Sequence, residues 1–314
     1  MKPRLSLVIP VYNEQDNIDA LCASMDTYLK ETTLHTEIIF VDDGSTDESV
    51  EMLKARKITN ATIKIVKLSK NFGAHAALRA GFQFVSTDYC MVYFMDMPDP
   101  LEAIERFYQK AKEGYDIVYA QREDYKGSVG SRIYSKLIRK QISHDYPKSG
   151  ISCFLISRKV LDHLNNNVES NSSLYFQLFT LGFRKLGIPL PIQKRTRGKS
   201  GWSFSKKKKL LMDTLVTFSR LPLRFVTVMG VILVLVGIIW ALAIIIIKLF
   251  NITPLNPGWP TLLALVLFGF GITNLSIGII AEYLWRTLDA VHKRPAFIVD
   301  EVIDLQKTNK LDSK

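Results

Sequence analysis

Leu5 to Glu14 reads LSLVIPVYNE, and Glu37 to Ser45 reads EIIFVDDGS. Each is a run of β-branched and other apolar residues that stops at polar, turn-forming ones, as strands do where they enter a loop. Between them, from about Gln15 to Leu29, the residues Ile18, Leu21, Met25 and Leu29 recur at helical spacing and mark one apolar face. The alternation continues outward. STDESVEMLKARK (Ser45–Lys57) opens with N-cap residues and continues as a helix, and IKIVKL (Ile63–Leu68) is a third strand. NFGAHAALRAGFQFV (Asn71–Val85) is a helix, DYCMVYFMD (Asp88–Asp96) a fourth strand, DPLEAIERFYQKAKEG (Asp99–Gly114) a capped helix and YDIVYAQR (Tyr115–Arg122) a fifth strand. Strands alternating with helices predict an α/β fold with a parallel-type sheet.

In open α/β sheets ligands bind beyond the carboxyl ends of the strands. That directs attention to Val11 to Glu14, Asp42 to Ser45, Asp96 to Asp99, and Arg122. Paired carboxylates at a sharp turn, Asp42 and Asp43 before Gly44, suit hydrogen bonds to ribose hydroxyls and a base N–H. Helix capping accounts for Ser45-Thr46-Asp47-Glu48 but leaves Asp42 and Asp43 over. Asp96-Met97-Pro98-Asp99-Pro100 closes the fourth strand with acids, the oxygen ligands that hard divalent cations need. Asp99, standing before Pro100, also fits a helix start.

Composition narrows the class. The chain has 314 residues, 47% hydrophobic and 23% charged, which excludes a disordered or collagen-like chain. Three cysteines without CxxC spacing indicate neither a disulfide framework nor a zinc site. The net charge of +11 calls for an anionic partner. The basic residues gather beside apolar runs, so the expected partner is a membrane rather than nucleic acid. Phe225 to Phe250 carries no charge between Arg224 and Lys248, and Thr261 to Ala281 carries none until Glu282. With about 20 apolar residues needed to cross a bilayer, the expectation is a hairpin of two transmembrane helices, 225–249 and 261–284. The Pro/Gly-rich NITPLNPGWP lies between them. Lys194, Arg195, Arg197, Lys199, Lys206 to Lys209, Arg220 and Arg224 precede the first span, Arg286, Lys293 and Arg294 follow the second, and the connecting loop has no basic residue. The positive-inside rule then places both termini in the cytoplasm. The N-terminal apolar run, Leu5 to Val11, is too short for a secretory signal. GSRIYSKLIRKQI (Gly130–Ile142) and the stretch Lys206 to Arg224 have apolar stripes among basic residues and read as interfacial helices. The expected organisation is a catalytic domain over 1–200, a juxtamembrane amphipathic helix over 201–224, the hairpin over 225–285 and a cytoplasmic C-terminal tail over 286–314. Glycines in the spans would allow close helix packing and a homo-oligomer.

Ile9-Pro10-Val11-Tyr12-Asn13-Glu14, Val41 to Asp47, Asn71-Phe72-Gly73 and Gly81, in this order, resemble the family 2 glycosyltransferases of GT-A fold. With Gly114 to Tyr119, Arg122, Arg195, Gly198, Ser200, Phe218-Ser219, Pro222-Leu223-Arg224 and Lys293-Arg294-Pro295, the likeness runs to about Val299 and is nearest the polyprenyl-phosphate glycosyltransferases. The resemblance implies a Rossmann-like catalytic domain followed by interfacial helices and a membrane hairpin. It implies inverting transfer from a nucleotide sugar, such as UDP-glucose, to undecaprenyl phosphate on the cytoplasmic face of the inner or plasma membrane. By resemblance, Pro10, Tyr12, Glu14, Asp42, Asp43 and Asn71 line the donor pocket. Asp96, with Asp99 as a second candidate, would hold Mg²⁺ or Mn²⁺ on the diphosphate. Arg122 and Arg195 would act on the donor diphosphate, and Arg132, Arg195 and Ser200 on the acceptor phosphate. A downstream flippase and a second transferase are implied partners.

Two departures stand out. The family's metal motif, Asp-x-Asp-x-Gln before Asp-Pro, has Phe94 in place of its first acid and Pro98 in place of its Gln. Lys148 to Arg158 lacks the acid and the Phe-Arg-Leu pattern of many relatives, so no carboxylate there is named as a base. The alternative reading is a degenerate glycosyltransferase, a membrane-anchored subunit that binds a nucleotide or lipid phosphate without turnover. A polysaccharide synthase is excluded by two spans and by the lack of a Gln-x-x-Arg-Trp motif. The five histidines show no ligand spacing and read as ordinary surface or core residues, with His75, just past the Asn-Phe-Gly turn, the one that could approach a donor.

Overall fold

The computed structural model describes residues 4–95, 101–122, 136, 139, 145–147, 151, 153–167, 173–190, 228–230, 232, 235, 239, 242, 246, 249–250, 258–292 and 295–305. At Arg122 and at several positions of the long C-terminal helix only the backbone is described.

The expected alternation is present. Strand β1 (Leu5–Val11), helix α1 (Gln15–Glu31), β2 (Thr36–Asp42), α2 (Ser49–Lys54), β3 (Ala61–Leu68), α3 (Ala74–Phe82), β4 (Tyr89–Val92), α4 (Glu102–Lys112) and β5 (Ile117–Arg122) follow one another. Then come β6 (Phe154–Ser157), α5 (Arg158–Asn166), α6 (Leu174–Thr180), β7 (Lys185–Leu190), α7 (Trp259–His292) and β8 (Val299–Asp304). The sheet has eight strands in the order β7-β5-β6-β4-β1-β2-β3-β8. β1 pairs in parallel with β2 and β4, β2 with β3, and β5 with β7, whereas β6 runs antiparallel to β4 and β5, and β8 antiparallel to β3. The parallel expectation therefore holds for the strands that were foreseen, and the sheet as a whole is mixed.

Period-two alternation distributes the core. Leu5, Leu7, Ile9, Ile38 and Phe40 face a layer made by α1, α2 and α4, where Ile18, Met25, Leu29, Leu53 and Phe107 are buried. Val8, Ile39, Val41 and Val66 face α3, α5 and α6, against Ala77, Leu78, Phe82, Leu161, Leu164 and Leu178. Coverage on both faces is why the strands read as continuous apolar runs rather than alternating ones. α3 lies close to the sheet. A Cβ at Gly81 would sit 2.5 Å from the Val8 side chain and 2.8 Å from that of Val41.

The chain forms two compact units, Met1–Ser203 with Pro295–Lys314, and Phe204–Arg294. The stretch 286–314, read from sequence as a tail, thus contributes β8 to the catalytic sheet. In the second unit α7 is 34 residues long, about 51 Å at 1.5 Å per residue. Its side chains Leu262, Leu265, Phe268, Phe270, Leu284 and Trp285 are exposed, as are Val228, Ile232, Leu235, Ile239, Leu242 and Ile246, which are helical. Among the described residues no helix is long and apolar enough to cross a membrane. Most of the expected first span, several side chains of the second and the stretch 201–224 lie outside those residues, as does most of 130–142.

Candidate active site

β1, β2, β3, β4, β5 and β7 all run in one sense, so their carboxyl ends share one edge of the sheet. Three loops meet there. Past Val11 the chain turns at Asn13, whose φ of 53° lies in the left-handed region that Asn tolerates better than most residues. Asn13 Oδ1 accepts the Thr46 N–H at 2.9 Å, and the Asn13 N–H donates to Ser45 Oγ at 3.0 Å. The Glu14 N–H donates to Ser49 Oγ at 2.9 Å, and the Gln15 N–H to Asp47 Oδ2 at 3.3 Å. Asp47 also accepts the Ser49 N–H at 3.0 Å, although the residue that caps α2, Glu48, makes no side-chain cap bond. Burial pushes the Asp47 carboxyl up, and its bonds more than offset this and hold it below the ordinary range.

The second and third loops interlock through Gly44 and Asp43. Gly44 has φ 72°, and a Cβ there would lie 2.6 Å from the Lys70 carbonyl carbon and 2.8 Å from the Asn71 nitrogen. Only glycine allows the two backbones to approach so closely. Asp43, 3% exposed, donates its N–H to the Val11 carbonyl at 2.8 Å, while Oδ1 accepts the Phe72 N–H at 2.7 Å and Oδ2 the Gly73 N–H at 2.8 Å. Burial raises the Asp43 carboxyl above its usual range, the neighbouring Asp42 adds to this, and the two amide bonds only partly oppose it. Asp42, 1% exposed, accepts the Ser45 N–H at 3.1 Å.

Of the residues assigned to the donor pocket, the structure gathers Pro10, Tyr12, Glu14, Asp42, Asp43 and Asn71 at this edge, on the ends of β1 and β2 and in the loop after β3. Tyr12 is 47% exposed and offers an aromatic face, Pro10 and Glu14 are half-buried, and Asn71 is exposed. Glu14 accepts the Asn17 side-chain amide at 2.6 Å. Asn13 and Ser45 fell within the stretches singled out from sequence but were given no such tie, and Ser49 was not singled out. The bonds that tie the β1 and β2 loops together span more than 30 residues, and only the tolerance of Asn for positive φ hinted at the first. His75, in the first turn of α3, packs its ring edge against Tyr175 at 5.3 Å. Burial and the nearby Arg79 lower its pKa to about 4, so it is neutral at neutral pH.

Arg122 ends β5 at the same edge, separated from β1 by β6 and β4, about 14 Å at the usual strand spacing. Its side chain, and Asp96, Asp99, Arg132, Arg195 and Ser200 altogether, lie outside the described residues. The chain leading to Asp96 is described. Tyr93 and Met95 are buried, and Phe94, in place of the family's first acid, packs against the α3 side of the core. That position therefore supplies no oxygen. Among the described residues no group of three His, Cys, Asp or Glu side chains could hold a metal ion. With Phe94 in place of the family's first acid, a divalent cation at the expected Asp96 would need substrate phosphates to complete its coordination, as Mg²⁺ usually does.

Comparison with known proteins agrees with this geometry. The pattern of glycosyl transferase family 2 matches residues 6–181, which hold β1 to β6. An uncharacterized glycosyltransferase of Synechocystis, sll0501, is 32% identical over 98% of each chain. The uncharacterized glycosyltransferase YkcC of Bacillus subtilis is 30% identical over 94% of this chain and 93% of its own. An undecaprenyl-phosphate 4-deoxy-4-formamido-L-arabinose transferase of Klebsiella pneumoniae is 30% identical over 97% of this chain and 95% of its own. Among solved structures, a mycobacterial protein shares the fold at 15% identity with a TM-score of 0.52, over 69% of this chain and 75% of that one. The chain belongs to glycosyl transferase family 2 and is a glycosyltransferase of GT-A fold.

Proposed function

We propose that this enzyme transfers a sugar from a nucleotide sugar to undecaprenyl phosphate or a related polyprenyl phosphate, at the cytoplasmic face of the plasma membrane and with inversion. A UDP-sugar is the donor in this reading, with UDP-glucose the first candidate. One observation carries the acceptor assignment. The likeness to the Klebsiella undecaprenyl-phosphate transferase covers 97% of the chain, well beyond the family region 6–181 and through the apolar second unit. The uncharged runs 225–247 and 261–281 and the exposed apolar side chains of α7 support a membrane hairpin, and the basic flanks support cytoplasmic termini.

In this reading the base stacks on Tyr12, and ribose and base polar groups meet Asp42, Asp43 and Asn71, with Pro10 and Glu14 beside them. The acceptor phosphate oxygen is already an anion. It forms the bond to the anomeric carbon as the bond to the diphosphate breaks, and no proton has to be removed. The site needs positioning and charge neutralisation more than a strong base. Arg122 and Arg195 neutralise the leaving diphosphate, and Arg132, Arg195 and Ser200 hold the acceptor phosphate. Mg²⁺ or Mn²⁺, held by Asp96 with Asp99 as a second ligand, supplies further neutralisation when bound.

The test uses full-length protein in detergent, a short-chain polyprenyl phosphate and radiolabelled UDP-, GDP- and dTDP-sugars, with Mg²⁺, Mn²⁺ or EDTA. A lipid-extractable labelled sugar, formed with metal and lost in Asp96→Ala, is the expected result. Nucleotide binding without product from any donor would overturn the proposal in favour of a non-catalytic binding subunit.

A further inference from the structure

After α7 ends at His292, residues 293–298 lead into β8, which lies antiparallel along β3 in the register Lys64↔Asp304 to Leu68↔Val299. The pairing shifts between Lys67 and Leu68, at the end of β3 that enters the site. There the Ser69 N–H donates to the Ile298 carbonyl at 3.0 Å, one residue beyond the strand. Lys67 Nζ lies 3.7 Å from Glu301 Oε2. Phe297 and Val299 pack against the cluster that contains Leu68, and Phe72 packs against the same cluster. Ile303 and Leu305 pack on the opposite face of the sheet. The segment 297–305 therefore pairs along the edge of β3 and adds side chains to the core on both faces of the sheet, just before Lys70 and Asn71 meet Gly44 and before Phe72 and Gly73 donate to Asp43.

From this we infer that β8 is a positioning element for the donor site: it fixes the exit of β3 so that the loop 69–73 presents its amides to Asp43 and its outer edge to the nucleotide. An edge strand that only covered the sheet would not need the bond to Ser69, which lies beyond the ladder at the start of the loop that reaches Asp43. Because β8 follows the apolar helix in the chain, the order of this loop depends on a segment supplied from after the second unit. The role in donor binding rests on the proposed transferase reading, while the role in ordering the loop does not.

The test is hydrogen exchange on the full-length protein in detergent, comparing wild type with Val299→Asp, which sets a carboxylate against the apolar cluster. Exchange at Ser69, Phe72 and Gly73 should quicken about tenfold or more, as loss of local order predicts, while Met91 and Val92 in β4 stay protected. The donor KM should rise about tenfold with kcat within twofold, the pattern of lost binding rather than lost chemistry. In case Val299→Asp does not fold, Glu301→Lys should raise exchange at the same amides about twofold, and adding Lys67→Glu should restore it, in keeping with the modest worth of exposed ion pairs. Faster exchange at Ser69 with Phe72 and Gly73 unchanged would overturn the inference. So would an unchanged donor KM when those amides are loosened. Absence of any transferase product would defeat the proposed function and leave the exchange result standing.

Discussion

Glu37, near the start of β2, and Asp43, just past its end, are both buried carboxylates, 2% and 3% exposed, yet their surroundings differ. Glu37 receives Ser6 Oγ at 2.5 Å, Lys64 Nζ at 2.7 Å, and both the N–H and the hydroxyl of Ser86 at 3.0 Å. Burial pushes its carboxyl up, the Lys64 and Ser6 bonds and the Ser86 amide more than offset this, and it titrates below the ordinary range. Asp43 receives two amides, stands beside Asp42 and titrates above the ordinary range. A carboxylate has about four lone-pair sites. At Glu37 they are satisfied and a cation balances the charge. Among the described residues, the Asp43 carboxylate receives two bonds, and neither comes from a cation. The first arrangement is a tie that holds the sheet's amino-terminal edge. The second is what a ligand with hydroxyl or N–H donors would complete, and it lies at the edge where α/β sheets bind.

The comparison is broken most severely at the site end. Asp43→Ala leaves the Phe72 and Gly73 amides without their charged acceptor. With roughly 1.5–3 kcal/mol for each hydrogen bond to a charged group, kcat/KM for the donor should fall by about a hundredfold or more, measured by initial rates. The same substitution at the other end, Glu37→Ala, should cost about 3 kcal/mol of stability by removing one partner of a buried pair. It should be read as a lower urea midpoint, with the donor KM of the folded protein unchanged. A large KM effect there would erase the contrast. Gly44→Ala forces the β2 and β3 loops apart and should cost about 1–3 kcal/mol, detected in the donor KM before the melting temperature.

The smallest expected effect is one of pH. Because Glu37 has a lowered folded-state pKa, its contribution to stability is present above the unfolded value of about 4.3 and is lost as pH falls through the folded value. Asp43, with a raised pKa, contributes in the opposite sense and costs stability once ionised. Glu37→Gln should therefore flatten the loss of stability below about pH 4.3, followed as urea midpoint against pH.

β1 to β5 and α1 to α4 were legible because apolar runs alternate along the sequence with apolar residues at helical spacing, as Ile18, Met25 and Leu29 are on α1. The later strands were not. β7 carries Gly187 and Pro189, residues disfavoured in strands, and β8 (VDEVID) has acids on an edge position in a stretch read as a tail. That Pro10, Tyr12, Glu14, Asp42, Asp43 and Asn71 lie at one edge of the sheet was legible because strand ends are local features. What Asp43 holds was not, because the Phe72 and Gly73 amides reach it from a different strand's loop.

The most direct test of the central claim is hydrogen exchange with and without saturating UDP in the presence of Mg²⁺. A donor bound across the β1, β2 and β3 loops predicts slower exchange at Asn13, Ser45, Phe72 and Gly73, with Glu37 and Ser86 unaffected. Protection elsewhere, with those four amides unchanged by bound UDP, would contradict it.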